Sequence, residues 1–349
     1  MNVHHLARLF RSVLLCLSWL VAGTAHAQHE TNWQSWQQGR VKAVNVLLST
    51  TSLELGVLKN NWGVNAVRAQ IILDDDTLRG MSLHGLPPHH VIHQQIKTLL
   101  DAAQARGLGV VLDLHRPEGG AEGHEGKLWT QSQLQDRLVS LWRNLAPVFK
   151  DHPALIGYDL LNEPTPPDDF YKDFRQIRGT MQDWNVLAKR LVAAVREVDS
   201  KVPLIVETTD WAKPFRFRQL DKINDPYIVY SFHMYHPVEL THQGIRQFAR
   251  VTSHTYPGTY GRTLVDKNQL AQHMNDALVF ARTHQVPIFV GEFGINHFAA
   301  SEDRGRYIKD LLDLFTEFGW SWGFHAFQIW EGWMPSPSML DAIVQNTRP

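Results

Sequence analysis

The chain has 349 residues with Lys+Arg 34 against Asp+Glu 35, a balance that excludes the basic stripe of a nucleic-acid binder and the polybasic segment of a membrane-surface protein. Its one cysteine, Cys16, excludes a disulfide framework, and a domain of roughly 320 residues buries enough surface to fold without one. Tryptophan is plentiful at 12 residues, which serves either a core or flat platforms for ligand faces.

The N-terminus reads as an address. Arg8 and Arg11 precede an apolar run from Val13 to Gly23, and Ala25-His26-Ala27 fits a small-x-small cleavage site. This pattern is that of a secretory signal peptide cut after Ala27. The run is about half the ~20 residues a spanning helix needs, so no membrane attachment is expected after cleavage. Cys16 follows Leu14 and Leu15, where a lipidation site calls for small residues. Residues 28–349 show no linker or internal repeat and are expected to form one monomeric domain, secreted or periplasmic.

Eight β-rich apolar runs follow, at Val41–Leu48, Ala66–Leu73, Val110–Leu114, Leu155–Leu161, Pro203–Glu207, Ile228–Phe232, Ile288–Val290 and Gly323–Ile329. They are near-continuous rather than alternating, as parallel strands covered on both faces are. Helical stripes separate them. Val91, Ile92, Ile96, Leu99, Leu100 and Ala103 make one, stopped by Gly107. Others run through Leu134–Leu145, Trp184–Val198, Leu270–Phe280 and Tyr307–Phe315, with shorter ones at Leu53–Leu58 and Met339–Val344 and the weakest at Ala212–Leu220. This alternation predicts an α/β fold, a single (β/α)8 TIM barrel. A doubly wound sheet usually carries a Gly-rich turn after its first strand, and Val46–Thr50 holds no glycine.

In such a barrel the active site lies where the strands end. Those ends read Asp113-Leu114-His115, Leu161-Asn162-Glu163-Pro164, Phe232-His233-Met234-Tyr235, Gly291-Glu292-Phe293-Gly294 and Gln328-Ile329-Trp330, with Arg68 inside the second strand. Two carboxylates among such neighbours suit cleavage of a glycosidic bond: one delivers a proton to the leaving oxygen, the other attacks the anomeric carbon. An arginine such as Arg68 would keep Glu292 ionised, which leaves Glu163 as acid and then base. Each residue alone also has a structural reading, as ion pair, turn former or core histidine. Their co-occurrence at one end of a barrel carries the inference.

With these residues in place, the sequence resembles glycoside hydrolase family 5, the cellulase-like family of a large retaining clan. Arg68, His115, Asn162 with Glu163, His233 with Tyr235, Glu292 and Trp330 match that family's site in order, and Ile156–Pro164 is especially close to its phrase. The resemblance spans about Val41 to Trp333. It implies Glu163 as acid/base and Glu292 as nucleophile, with Asn162 on a sugar 2-hydroxyl and Tyr235 and Arg68 touching Glu292. His115 and His233 are implied to line the subsite of cleavage, and Trp330 to be its floor. The first strand departs slightly, with Ala43-Val44-Asn45 where many members begin with glycine. The substrate implied is a β-linked polysaccharide or oligosaccharide, foremost a β-glucan; β-mannan, transglycosylation and a silent polysaccharide-binding barrel are the alternatives.

Other motifs fail on chemistry, so no metal or other cofactor is expected. His89-His90-Val91-Ile92-His93 has His90 where a zincin needs glutamate, and Gly119–Leu128 breaks the phosphate-loop spacing at Ala121 and Leu128. Asp74-Asp75-Asp76 lacks a calcium loop's alternate ligands. Trp129, Trp211 and Trp333 follow strands three, five and eight, and each is either an outer sugar platform or core.

Overall fold

The structure is a computed structural model that describes residues 30–74, 77–79, 81, 88–119, 126–167, 174–245, 248 and 254–348. The expected signal peptide, its cleavage point, Cys16, Asp75, Asp76 and residues 120–125 lie outside these. Eight strands alternate with helices: β1 (Lys42–Leu47), β2 (Ala66–Ile72), β3 (Gly109–Arg116), β4 (Leu155–Asp159), β5 (Leu204–Glu207), β6 (Ile228–Met234), β7 (Ile288–Phe293) and β8 (Ser321–Phe324). All are parallel to their neighbours, and β1 pairs with both β2 and β8 to close a (β/α)8 barrel.

The surrounding helices include Pro88–Ala105, Ser132–Phe149, Trp184–Arg196, Ser301–Phe318 and Pro337–Thr347. Their ends obey local chemistry. Asp183 accepts from the Asn185 N–H at one start, Ser336 precedes Pro337 at another, and Gly319 closes Ser301–Phe318 at φ 69°. Their apolar stripes pack on the outer faces of the strands, so Ile96, Leu99, Leu100, Trp142, Leu191 and Leu311 belong to one core with Val67, Val110 and Leu112.

Three regions depart from the expectation. The strand read as Gly323–Ile329 begins at Ser321 and ends at Phe324. After it, the Phe327 N–H bonds back to the Asn45 carbonyl and Gln328 takes φ 55°, so the apolar residues that extended the run form a turn over the barrel. The fifth crossover, whose pattern was weakest, holds only a short turn, Thr209–Ala212, and the 3-10 helix Pro214–Gln219. The long loop after β6 carries a hairpin, Gly258–Tyr260 with Thr263–Val265.

The barrel interior has two layers. The lower is apolar: Val41, Ala43, Ala66, Val111, Ile156, Ile205, Val229 and Phe289 surround Trp36, which comes from a helix over residues 30–37 and donates its indole N–H to the Ile156 carbonyl at 2.8 Å. Two residues further along a strand point to the same face. That step turns Ala43 into Asn45, Ala66 into Arg68, Val111 into Asp113, Ile205 into Glu207 and Val229 into Ser231.

Candidate active site

Arg68 is the hub of the upper layer and has no exposed surface. Its Nε donates to Asp159 at 2.8 Å, Nη1 to Asn45 and Glu292 at 2.8 Å each, and Nη2 to Asn162 at 2.9 Å and Glu207 at 3.0 Å. All five guanidinium N–H groups are thus used. Asp113 adds a fourth carboxylate, 3.1 Å from Nη2. One cation cannot neutralise four acids. Burial, with Glu207 close by, lifts Asp159 well above the usual carboxyl range, against the pull of Arg68.

Glu292, on β7, is held from both sides. Its Oε1 accepts from Arg68, and its Oε2 accepts from the Tyr235 hydroxyl at 2.8 Å. Burial opposes its charge, but the histidines and Arg68 around it outweigh burial and press its pKa below the ordinary carboxyl value. Among them, His325 is itself held down to about 4 by burial, so above that pH the depression comes from His233, Arg68 and His115. His115 Nδ1 bonds Asp113 at 2.9 Å and lies 4.0 Å from Glu292.

Glu163 follows β4 in a left-handed conformation, φ 46°, a strained setting of the kind found at functional sites. Its Oε1 pairs with His233 Nδ1 at 2.8 Å, and its side chain, 17% exposed, is the most open carboxylate of the cluster. Burial raises its pKa above that of a free glutamate, with Glu292 and Glu207 adding to the rise. An oxygen of Glu163 and an oxygen of Glu292 lie within 4.8 Å of each other, with His233 between. These three side chains also have the spacing of metal ligands, although Glu292 accepts from Arg68 and Tyr235 and Glu163 Oε1 is paired with His233 Nδ1.

Arg68, His115, Asn162, Glu163, His233, Tyr235 and Glu292 therefore converge at one end of the barrel. Trp330 does not join them: it is 40% exposed and its ring meets His297 and Trp333. The position it was expected to fill beyond β8 is taken by His325, whose Nδ1 makes no hydrogen bond and lies 3.4 Å from Glu292 Oε2. Trp333 lies behind it, against Tyr235 and His325. Trp129 is core, 3% exposed and edge-on to Trp184. Trp211 is half-buried in the run Asp210–Ala212, where three successive residues take positive φ, and its N–H bonds Thr165 beside Glu163.

Asn45, Asp113, Asp159, Glu207 and His325 had no role assigned from sequence. The signal available was a polar residue set in an otherwise apolar parallel strand. His325 carried the same signal, but the apolar residues that continue past it placed it mid-strand rather than at a strand end.

A parallel barrel with two opposed glutamates and a buried arginine at the C-terminal strand ends defines a glycoside-hydrolase site. Comparison with known proteins gives the particular family. The profile described as cellulase (glycosyl hydrolase family 5) matches residues 26–328, and the chain belongs to that family, whose members cleave O-glycosyl bonds. Endoglucanase C of Acetivibrio thermocellus is 27% identical over 248 residues, 64% of this chain and 69% of that protein. Cellodextrinase A of Ruminococcus flavefaciens is 22% identical over 261 residues, 73% of each chain. The fold is also that of endoglucanase Cel5A of Thermotoga maritima, with TM-score 0.70 and 20% identity over 89% of this chain and 99% of that one. That enzyme has been solved with cellobiose and with mannotriose.

Proposed function

We propose that the chain is a retaining hydrolase of β-1,4-linked glucans or closely related β-glycans, working by double displacement. The observation that carries this reading is the approach of one Glu163 oxygen to one Glu292 oxygen within 4.8 Å. Retaining pairs stand about 5–5.5 Å apart, whereas inverting pairs leave about 6.5–9.5 Å for a water. In the first step a Glu292 oxygen attacks the anomeric carbon while Glu163 gives its proton to the departing oxygen. In the second, Glu163 takes a proton from water, whose oxygen replaces Glu292 on that carbon. Each displacement inverts, so the product keeps the β configuration.

The surroundings fit these roles. Arg68 and Tyr235 hold Glu292 ionised and fixed, and burial favours the protonated form of Glu163. Asn162 accepts from Arg68 through Oδ1, which turns its amide N–H toward the sugar 2-hydroxyl. Trp330 serves a neighbouring subsite rather than the floor under the reacting sugar. The glucan preference follows the endoglucanase and cellodextrinase relatives, and β-mannan is the second reading because a structural neighbour was solved with mannotriose. We also read residues 28–349 as an exported monomer, tested by the N-terminal mass and light scattering of the secreted protein.

The decisive experiment uses Glu163→Ala with a dinitrophenyl β-glycoside and azide. The first step survives because that leaving group needs little protonation, and azide traps the intermediate as the β-azide. An α-azide from this variant overturns the assignment. A panel of defined β-glucans, β-mannans and xylans then names the sugar, and activity is expected to withstand EDTA.

A further inference from the structure

Glu207 ends β5 at the centre of the site, yet it faces no open space. It is fully buried and its two oxygens meet only donors or a histidine. Oε2 accepts the backbone N–H of Glu163 at 2.7 Å. Oε1 accepts from Arg68 Nη2 at 3.0 Å and faces His233 Nε2 at 3.0 Å. The other nitrogen of the same ring faces Glu163 Oε1 at 2.8 Å. Glu207, His233 and Glu163 thus form a chain in which one imidazole spans two carboxyl groups, and one of those groups also holds the strained backbone of the other.

We infer that Glu207 is a positioning residue for the acid/base: it holds His233 with both ring nitrogens donating, so that Oε1 of Glu163 accepts and its Oε2 carries the proton for the leaving group. Which atoms can donate decides where the protons sit. A guanidinium and a backbone amide only donate, so Glu207 is the ionised partner and His233 Nε2 carries hydrogen toward it. An anion on one side of a buried ring favours the imidazolium, whose Nδ1–H then points at Glu163 Oε1. Glu163 keeps its own proton on the remaining oxygen. When that proton leaves, the new carboxylate meets a ready donor, and in the second step the same oxygen takes a proton back from water. His233 neither gains nor loses a proton in the cycle.

The charges facing the chain are accounted for. Arg68 from β2 supports Glu207. Glu292 from β7 adds negative charge, Asp159 from β4 has its charge opposed by burial, His325 from beyond β8 faces His233 as a neutral ring, and Tyr235, just after β6, is bound to Glu292. Burial opposes the charge on His233, but Glu207 and Glu292 raise its pKa well above that of free histidine. Glu207 is lowered, against burial, by His233 and Arg68.

This inference rests on the double-displacement reading and has its own readout. In the wild-type protein, 15N-labelled histidine is expected to show His233 with both nitrogens protonated from pH 5 to above 8. A neutral His233 ring at pH 7 overturns the inference without any variant. In Glu207→Gln a negative charge is gone, so the Glu163–His233 pair holds its protons less tightly. The basic limb of kcat/KM moves toward acid by about 1 pH unit or more. Natural oligosaccharides lose about 10-fold or more in kcat, while the first step on dinitrophenyl glycosides loses less. Glu207→Asp, which keeps the charge, restores the limb. Equal losses on both substrates with an unmoved limb make Glu207 merely structural. Should the wild type cleave no β-glycan, the nitrogen shifts still decide this inference separately.

Discussion

The two layers inside the barrel come from the same strands, two residues apart, and they solve opposite problems. Below, Trp36 and the apolar side chains around it fill the space with groups that ask nothing of their neighbours beyond close packing. Above, Arg68 and four carboxylates occupy an equally enclosed space, where ions cost several kcal/mol each unless paired and hydrogen-bonded. The upper layer survives because all five Arg68 donors are used, each on a carboxyl or amide oxygen. Stability and chemistry are thus separated along the barrel axis: the lower layer packs apolar groups, and the upper layer holds the charged ones.

The largest effect that breaks this contrast belongs to Glu292. Replacing it with Ala removes the attacking oxygen and is expected to lower hydrolysis of every substrate on the order of 10^4-fold. Formate or azide fills the gap and restores partial turnover of an activated aryl glycoside, and the azide product has the α configuration. Stability at neutral pH falls, because Arg68 and the Tyr235 hydroxyl lose their shared acceptor, so the kinetics are read at a temperature where the variant is folded. A Glu292→Ala protein that still hydrolyses oligosaccharides at wild-type rate removes the mechanism.

Arg68→Met comes next and strikes the upper layer as a whole. Four carboxylates lose their cation, so activity is lost and stability falls by about 3–5 kcal/mol. The sign of the pH dependence follows from the carboxyl groups. In the wild type the depressed Glu292 contributes stability above its unfolded pKa, and this is lost as pH falls through its folded value. Without Arg68, burial lifts the carboxyls, whose contribution is complete below about pH 4.3 and is lost as pH rises. The gap between variant and wild type therefore widens from pH 4.5 to 7.5 in urea titrations. A gap that stays constant assigns Arg68 a packing role only.

The lower layer gives the converse. Trp36→Ala empties the plug and is expected to cost about 3–5 kcal/mol, with kcat at 25 °C within about twofold as long as the protein is folded. A large fall in kcat at that temperature would join the two layers that the structure separates.

This division also explains what the sequence let one read. The strands were legible because both faces are covered, which leaves apolar runs such as Ala66–Leu73, and the acids beyond them were legible as breaks in pattern. Glu163 and Glu292 announced themselves by following strands. Asp159 and Glu207 lie within or at the end of apolar runs, and their significance depends on partners from other strands, which no local pattern encodes. The eighth strand misled for a physical reason: Ala326, Phe327 and Ile329 are apolar because they cover the barrel, two of them buried, and their apolar run masks the turn after His325. Trp330 was displaced from the site with them.

The smallest effect separates rim from core among the tryptophans. Trp330 and Trp129 both follow strand ends, yet one is 40% exposed and the other 3%. Trp129 packs on Trp184, so Trp129→Ala is expected to cost about 3–5 kcal/mol of stability and to leave KM for long oligosaccharides within about twofold. Trp330 is backed by His297 and Trp333, which fix the ring while leaving a face to solvent. Removing it costs within about 0.5 kcal/mol of stability. A flat aromatic contact is worth about 0.5–1.5 kcal/mol, so Trp330→Ala raises KM for long oligosaccharides by roughly 2- to 12-fold. An aryl glycoside carrying a single sugar does not reach a neighbouring subsite, and its kinetics stay unchanged. Should both substrates suffer equally, Trp330 acts through Trp333 and Tyr235 on Glu292 rather than on sugar, and the rim belongs with the upper layer.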